Sequence, residues 1–255
     1  MFSRADLVKM IQPWVYAHPS ILAAWEGGSA ATQRMDQYSD LDLSLVVIDD
    51  QVDMIFKDLE AFLMKHFSIL RKYRIPEPAW HGLSQCFYQI DHTDPFIYLD
   101  IAVIKESQPE KLMEQDRHGF ANVWFDRKHI YDPSPSSPKD IIERGKKLFD
   151  SMVQTDFLIM IEVEKGIQRG QFIDVFPTYY SFISRHLAVM MNLKYRPEKV
   201  DFGLRYARFD YDFSDLEKIE KSIAVATIHE LATQFAWVKS RYLALKTELS
   251  KTWHH

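Results

Sequence analysis

Apolar and polar positions follow two different patterns along the chain. Before residue 132, short apolar or alternating runs predict strands over residues 21–26, 40–48, 85–91, 96–105 and 122–131. Between them, apolar residues recur at helical spacing over residues 5–17 and 52–67, where we expect two helices. The first part of the chain is therefore predicted to mix α and β structure.

The second part of the chain is predicted to be helical. The segment DPSPSSP at residues 132–138 has the composition of a linker, and its Pro138 suits the first turn of a helix that Gly166 and Gly170 would end. Further helices are predicted over residues 172–193, from an S-x-x-E capping box at Ser214 and Glu217, and over residues 227–249. We thus expect an α+β chain, in which a mixed β-sheet flanked by helices (residues 1–135) precedes an α-helical bundle (residues 136–255).

Composition narrows the class of protein. The 255 residues include 47% hydrophobic residues and only 8 glycines, which disfavours collagen-like and disordered proteins. Apolar runs fall far short of the roughly 18 residues of a membrane span, and the first residues lack the pattern of a secretory signal. A single cysteine, Cys86, fits a reducing cytoplasm, and the net charge of −5 disfavours a protein that coats nucleic acid. We expect a cytoplasmic protein without membrane or nucleic-acid partners.

The segment GGSAATQRMDQYSDLDLSLVV, residues 27–47, carries the first candidate chemistry. Gly27, Gly28 and Ser29 follow an apolar run and precede a helix-compatible stretch. Glycines let a backbone approach a ligand closely, and amides at a helix start favour anionic oxygens. The turn is a candidate phosphate site, and an ordinary tight turn is the alternative.

The second candidate for chemistry is a set of acidic residues on the predicted strands. Asp40 and Asp42 project from the same face of one strand, because alternate residues of an extended chain point the same way. Like charges held so close favour a bound cation such as Mg²⁺, whereas a solvated strand end would need none. Asp100 lies mid-strand in FIYLDIAVIK, and it would complete a three-carboxylate site if its strand neighbours the first. Otherwise it is a surface-facing acid.

These motifs resemble the nucleotidyltransferase superfamily that includes DNA polymerase β. The likeness rests on GGS, the Asp-x-Asp strand and a later third Asp, with the lead-in Tyr38 and Ser39, and it is greatest to the aminoglycoside and lincosamide nucleotidyltransferases, which add a helical C-terminal domain. The motifs lie within the first 105 residues. Beyond them, only the helical architecture and the segment KYRPEKVDFGLRY, residues 194–206, resemble relatives of the drug-modifying enzymes.

The resemblance implies a role for each matching residue. Gly27, Gly28 and Ser29 would hold the phosphates of ATP or another nucleoside triphosphate, and Asp40 and Asp42 would bind Mg²⁺, as two ions. Asp100 would be a metal ligand or the general base on the acceptor hydroxyl. Arg34 is the candidate for the basic contact of the loop, although it lies further from the serine than the arginine of some family members. The implied reaction moves a nucleoside monophosphate, with AMP from ATP as the expected case, to a hydroxyl of a small acceptor such as an aminoglycoside-like compound, and pyrophosphate leaves.

Charge is unevenly distributed in the second half. Residues 165–210 contain eight Lys or Arg against four acids, a net charge of +4, so the remainder of the chain carries −9. Lys194 and Arg196 are the leading candidates there for contacts to a triphosphate, and a solvated helical face is the alternative. The helical domain is expected to bind the substrate.

Two other functions share these motifs. One is an antitoxin-like or regulatory nucleotidyltransferase module that acts on a partner protein, for which a helical tail of about 115 residues is unusually large. The other is a nucleotide-binding relative without catalysis. Clustered like charges disfavour that relative, because a protein without catalysis gains nothing from their repulsion.

Overall fold

The computed structural model describes residues 1–79, 81–109 and 111–254. The chain divides into two compact units, Met1–Pro135 and Ser136–His255.

A mixed β-sheet forms the centre of the N-terminal unit. Among its described residues, six strands lie in the order β3-β4-β5-β2-β1-β6. The strands are β1 (Ile21–Glu26), β2 (Leu41–Val47), β3 (Ile69–Arg74), β4 (Ser84–Ile90), β5 (Leu99–Lys105) and β6 (Asn122–Asp126). β2 and β5 run parallel, whereas the other neighbouring strands run antiparallel. The predicted α+β class with a mixed sheet is confirmed.

Two helices, α1 (Arg4–Ala17) and α3 (Val52–Leu63), cover one face of this sheet. The single turns α2 (Gly28–Ala31) and α4 (Gln115–His118) also belong to this unit. Apolar residues of α1 and α3, among them Leu7 and Leu59, are buried against alternate residues of β2 such as Leu43 and Leu45. The intervening residues of β2, including Asp42, consequently point to the opposite face.

The strand predictions were wrong where a strand is largely exposed or where a turn interrupts an apolar run. β3 was not predicted, because four of its six residues are exposed and basic residues interrupt the apolar ones. β5 begins at Leu99 rather than at residue 96, since the Asp94 carboxylate accepts a hydrogen bond from the Phe96 amide and makes a turn. β6 ends at Asp126, whose carboxylate accepts bonds from the amides of Lys128 and Tyr131. α3 also ends four residues before the predicted end, at Leu63.

The C-terminal unit is helical throughout its described elements. They are α5 (Pro138–Gln168), α6 (Phe172–Ser181), a π-helical segment (Phe182–Leu187), α7 (Ala188–Tyr195), a 3-10 helix (Pro197–Lys199), the single turn α8 (Ala207–Asp210), α9 (Phe213–Ile223) and α10 (Ile228–Trp253). Residues of α10 at helical spacing, including Leu231, Val238 and Leu245, are buried as the sequence predicted. No helix in the described ranges has both the length and the apolar character that a membrane span needs.

Two local predictions for the helical unit were wrong. Gly166 does not end α5 but lies inside it, where an added Cβ would overlap with the Val175 side chain; Gly170, with φ of +67°, follows the end of the helix. Ser214 and Glu217 form no capping box, because α9 begins one residue before Ser214 and its N-cap is Asp212. The close approach of α5 and α6 explains why position 166 is glycine.

His186 is a buried titratable group in the π-helical segment. Its ring stacks on that of Phe182 and meets the Tyr242 ring edge-on, and its Nε2 lies 3.0 Å from the Thr155 hydroxyl. Burial lowers the pKa of His186 from 6.5 to about 4, and the positive charge of Arg185 acts in the same direction against the opposing charge of Asp156. The folded chain therefore holds this imidazole neutral.

Replacing His186 with Gln should make unfolding less sensitive to acid. His186 gains a proton below about pH 6.5 in the unfolded chain but only below about pH 4 in the folded one. Its contribution to the free energy of unfolding is complete above pH 6.5 and is lost as the pH falls toward 4, by about 3 kcal/mol at most. Urea unfolding near neutral pH and near pH 4.5 measures the difference. His229→Gln, at an exposed position of α10, is the control, and equal acid sensitivity of the two variants would contradict the assignment.

Candidate active site

Three carboxylates lie together at one end of the sheet face opposite α1 and α3. Asp42 in β2 pairs in register with Asp100 in the parallel strand β5, and Asp40 immediately precedes β2. Side chains paired in this way on neighbouring strands point to the same face. The Asp40 and Asp42 carboxyl groups also lie within hydrogen-bonding reach of each other. The neighbouring strands that the sequence analysis required of Asp100 are present.

The carboxyl groups of this acidic cluster have raised pKa values. Burial raises the pKa of Asp42 to about 7, and the charges of Asp40 and Asp100 add to the shift while Arg4 opposes it. Burial also raises the pKa of Asp100 to about 6, with a further contribution from Asp40. Burial and repulsion both disfavour the charged carboxylates, and a proton or a cation offsets both, so the cluster favours binding a positive charge.

Two polar neighbours orient the cluster. The Gln85 amide of β4 donates a hydrogen bond of 2.5 Å to Asp100 Oδ1. The Tyr98 hydroxyl donates to the Asp40 carboxylate, and this hydrogen bond, together with burial, raises the pKa of Tyr98. Neither residue was among the sequence candidates. Alternation along FIYLDIAVIK already places Tyr98 on the face of Asp100. Only the strand pairing reveals that Gln85, opposite Ala102 of β5, lies on that face too.

The glycine turn lies directly against this cluster. Gly27 follows β1, and its amide donates a hydrogen bond of 3.0 Å to the Asp42 carbonyl oxygen. Gly28 has a φ of +52°, and a Cβ added to it would overlap with Asp42 Oδ2. The Ser29 hydroxyl is buried and has no hydrogen-bond partner among the residues that the structure describes. The turn thus presents a bare backbone and an unsatisfied hydroxyl beside the carboxylates.

These features suit a divalent metal and a phosphate group. Within the described ranges, no group of three or more His, Cys, Asp and Glu side chains is already arranged as a metal cage. Carboxylate oxygens are nevertheless the ligands that Mg²⁺ prefers, and the raised pKa values of Asp42 and Asp100 are what a site suited to added positive charge shows. The buried Ser29 hydroxyl and the space that a Cβ at position 28 would fill likewise suit a ligand that brings oxygen atoms to the turn.

The basic candidates lie in different surroundings. Arg34 is half-buried one turn after Ser29, and its amide donates to the Ser29 carbonyl oxygen at 2.9 Å. Lys194, in α7, forms an ion pair of 3.3 Å with Glu248. As phosphate contacts, both remain predictions.

Arg196 requires a correction, because it is a core residue of the helical unit. Its side chain is 1% exposed, and its guanidinium donates to Asn192, to Asp210 and to the Gly203 carbonyl oxygen. A guanidinium with these buried partners joins α7 to the loop that follows it. We therefore no longer consider Arg196 a phosphate contact.

Sequence reasoning also missed a buried ion pair beside the turn. Glu26, the last residue of β1, is 2% exposed and pairs with Arg4 at the start of α1. Glu26 had a visible signal, since it is an acid that ends the apolar run ILAAW directly before the glycines. Arg4 had none, because only the packing of α1 on the sheet brings it here.

Comparison with known proteins gives a likeness in structure only. No family model and no curated protein matches the sequence. An aminoglycoside 6-adenyltransferase from Bacillus subtilis is similar at 13% identity with a TM-score of 0.38, over 99% of this chain and 92% of that one. A nucleotidyltransferase-like protein from Exiguobacterium sibiricum is similar at 11% identity with a TM-score of 0.40, over 96% of this chain and 75% of that one. Values this low carry no argument about activity, which depends on the site residues themselves.

Replacing Gly28 with Ala should disturb the cluster. The new methyl group would overlap with the Asp42 carboxylate, and an L-residue at this positive φ costs about 1–2 kcal/mol. We expect a loss of that order in the free energy of unfolding by urea, together with a changed Asp42 pKa in a carboxyl NMR titration. Gly27→Ala is a matched control, because a Cβ there meets no atom within 4 Å. Equal effects of the two substitutions would contradict the observed turn geometry.

Proposed function

We propose that the protein is a Mg²⁺-dependent nucleotidyltransferase, which transfers a nucleoside monophosphate from a nucleoside triphosphate to a hydroxyl of a small molecule. ATP is the first donor to test, and pyrophosphate is the second product. The observation that carries the proposal is the glycine turn, with its unsatisfied Ser29 hydroxyl, packed against the carboxylates of Asp40, Asp42 and Asp100. This is also the activity that the sequence resemblance implies.

Each part of the site has a role in this reaction. The backbone of Gly27 and Gly28 and the Ser29 hydroxyl would hold the phosphates, with Arg34 as the nearest basic candidate. Asp40 and Asp42 would hold Mg²⁺, as two ions when Asp100 completes the ligand set. When bound, the metal supplies positive charge that stabilises the attacking and leaving oxygens of an in-line displacement at phosphorus.

Asp100 has two compatible roles. As a ligand it would share the metal with Asp42, its register partner on the next strand. As a general base it would accept the proton of the acceptor hydroxyl, and a pKa of about 6 suits a base that works near neutral pH. Pyrophosphate release by the Asp100→Asn variant at rising Mg²⁺ separates them, since excess metal restores activity if Asp100 is only a ligand but does not if it is the base.

The helical unit would bind the acceptor. The basic stretch of this unit, residues 165–210 with a net charge of +4, would supply cations for the triphosphate rather than for the acceptor. Lys194 is the candidate that remains there after Arg196 is assigned to the core. We propose a small hydroxyl compound as the acceptor and include aminoglycosides in the set to be screened. Release of pyrophosphate from labelled ATP identifies the acceptor that reacts.

Replacing Asp42 with Asn should abolish the activity while stabilising the metal-free protein. Loss of a charged ligand should lower pyrophosphate release by about a hundredfold or more. The same change removes a buried carboxylate whose pKa the fold raises to about 7, so the thermal unfolding midpoint should rise at and above neutral pH. Mg²⁺ should raise the midpoint of the wild type and leave that of the variant unchanged.

The matched control is Asp50→Asn, an exposed acid in the turn after β2. It should leave both the activity and the response to Mg²⁺ as in the wild type. If Asp42→Asn binds Mg·ATP as the wild type does in isothermal titration, and no acceptor gives pyrophosphate with either protein, the proposal is wrong. Co-purification of one stable partner protein that accepts label from ATP would favour a regulatory module instead.

A further inference from the structure

Glu26 is a buried carboxylate at the junction of β1 and the glycine turn. Its side chain is 3% exposed. Oε2 accepts a hydrogen bond from the Arg4 guanidinium, while Oε1 accepts bonds of 2.7 Å from the Asn122 amide and from the Trp124 indole of β6. Three side chains from α1 and β6 thus converge on one carboxylate.

Stability alone does not explain this arrangement. A buried ion pair contributes little net stability, because the loss of hydration offsets most of the attraction, and apolar residues of similar size often serve as well. The neighbours of Glu26 in β1 are apolar, including the buried Ala24 and Trp25. A polar group retained at this position is therefore expected to hold something in place.

The Arg4 guanidinium links the two halves of the site. While it donates to Glu26, its Nε also donates a hydrogen bond of 2.7 Å to the carbonyl oxygen of Asp40. Glu26 is bonded covalently to Gly27, the first residue of the turn, and Asp40 is the first acid of the cluster. The Arg4 side chain therefore connects the start of the glycine turn with the residue that precedes β2. A second connection is the hydrogen bond from the Gly27 amide to the Asp42 carbonyl oxygen.

Arg4 is itself held rigidly. It is the first residue of α1, whose N-terminus is closed by a capping box between Ser3 and Asp6. Three residues further along, Leu7 is fully buried in the core beneath the sheet. The planar guanidinium can bond in two fixed directions at once, a property that a lysine lacks.

We propose that Arg4 and Glu26 are positioning residues for the acidic cluster and the glycine turn. Their ion pair sets where Asp40 and Asp42 lie relative to Gly27, Gly28 and Ser29, so that metal and phosphate bind together. Neither residue contacts the reacting atoms. The inference rests on the proposed function, since it concerns the alignment of two parts of that site.

The test measures metal binding in the presence of a nucleotide. The probe is Mn²⁺, followed by electron paramagnetic resonance, with an ATP analogue that has a non-cleavable α,β-methylene group. Glu26→Gln keeps the shape and the oxygen that accepts from Asn122 and Trp124 but removes the charge that pairs with Arg4. Glu60→Gln is the matched control, because Glu60 pairs with Lys72 and accepts from the Tyr88 hydroxyl in the same unit, outside the site.

We expect Glu26→Gln to weaken Mn²⁺ binding about tenfold or more, as changes behind metal ligands commonly do. Glu60→Gln should bind Mn²⁺ as the wild type does. Arg4→Lys gives a second measurement if Glu26→Gln does not fold. It keeps the positive charge beside Glu26 but loses the simultaneous hydrogen bonds to Glu26 and to the Asp40 carbonyl oxygen. We expect the same weakening of Mn²⁺ binding. Wild-type affinity in Glu26→Gln or Arg4→Lys overturns the inference.

A double variant separates positioning from stability. The double variant Arg4→Met with Glu26→Gln leaves no unpaired charge buried. Its thermal unfolding midpoint without metal or nucleotide should therefore be higher than that of the single variant Glu26→Gln. Mn²⁺ affinity should stay low, because the bond from the Arg4 guanidinium to the Asp40 carbonyl oxygen is then lost. Recovery of the affinity together with the midpoint would show a merely structural pair.

A wild type that binds no Mn²⁺ with the analogue refutes the proposed function itself. If the wild type binds Mn²⁺ and the Glu26→Gln variant matches its affinity, only the positioning role is refuted.

Discussion

Mutual repulsion among the Asp40, Asp42 and Asp100 carboxylates is the constraint on which the candidate site depends. The parallel pairing of β2 and β5 places Asp42 and Asp100 in register, and the alternation of β2 brings Asp40 to the same face. The apolar residues between these acids are buried against α1 and α3, so no acid can turn away without moving a core residue to the surface. The fold therefore holds the carboxylates together against their own repulsion, which a bound cation would relieve.

The other features of the site depend on how closely the glycine turn approaches this acidic cluster. Gly28 lies so near Asp42 that a side chain has no room, and its positive φ turns the backbone toward the carboxylates. Glu26 and Arg4 join the start of this turn to the Asp40 carbonyl oxygen from behind. The end of β1, the start of α1 and the glycine turn thus meet at one point.

Sequence patterns predicted the elements whose burial is regular. The alternation of LDLSLVV predicted β2 and the face of Asp42, and helical spacing predicted α10 with its buried residues. The patterns failed where tertiary contacts compete with them. β3 is a largely exposed strand with no alternation, and the expected capping box at Ser214 gave way to a helix start one residue earlier. A charged residue near a helix end likewise suggested a surface contact at Arg196, whereas the structure buries it among acceptors from three directions.

By itself, the sequence determined the fold class, the face on which Asp40 and Asp42 project and the glycine turn after an apolar run, because these depend on local periodicity and on backbone freedom. The contact of that turn with Asp42 was decided by the tertiary structure. Only the tertiary structure decided that β5 pairs with β2, that Gln85 and Tyr98 bond to the acids, and that Arg4 reaches Glu26 and Asp40. These relations join residues that are far apart along the chain. Their partners are chosen by the packing of a whole sheet and its helices, and no local pattern records that choice.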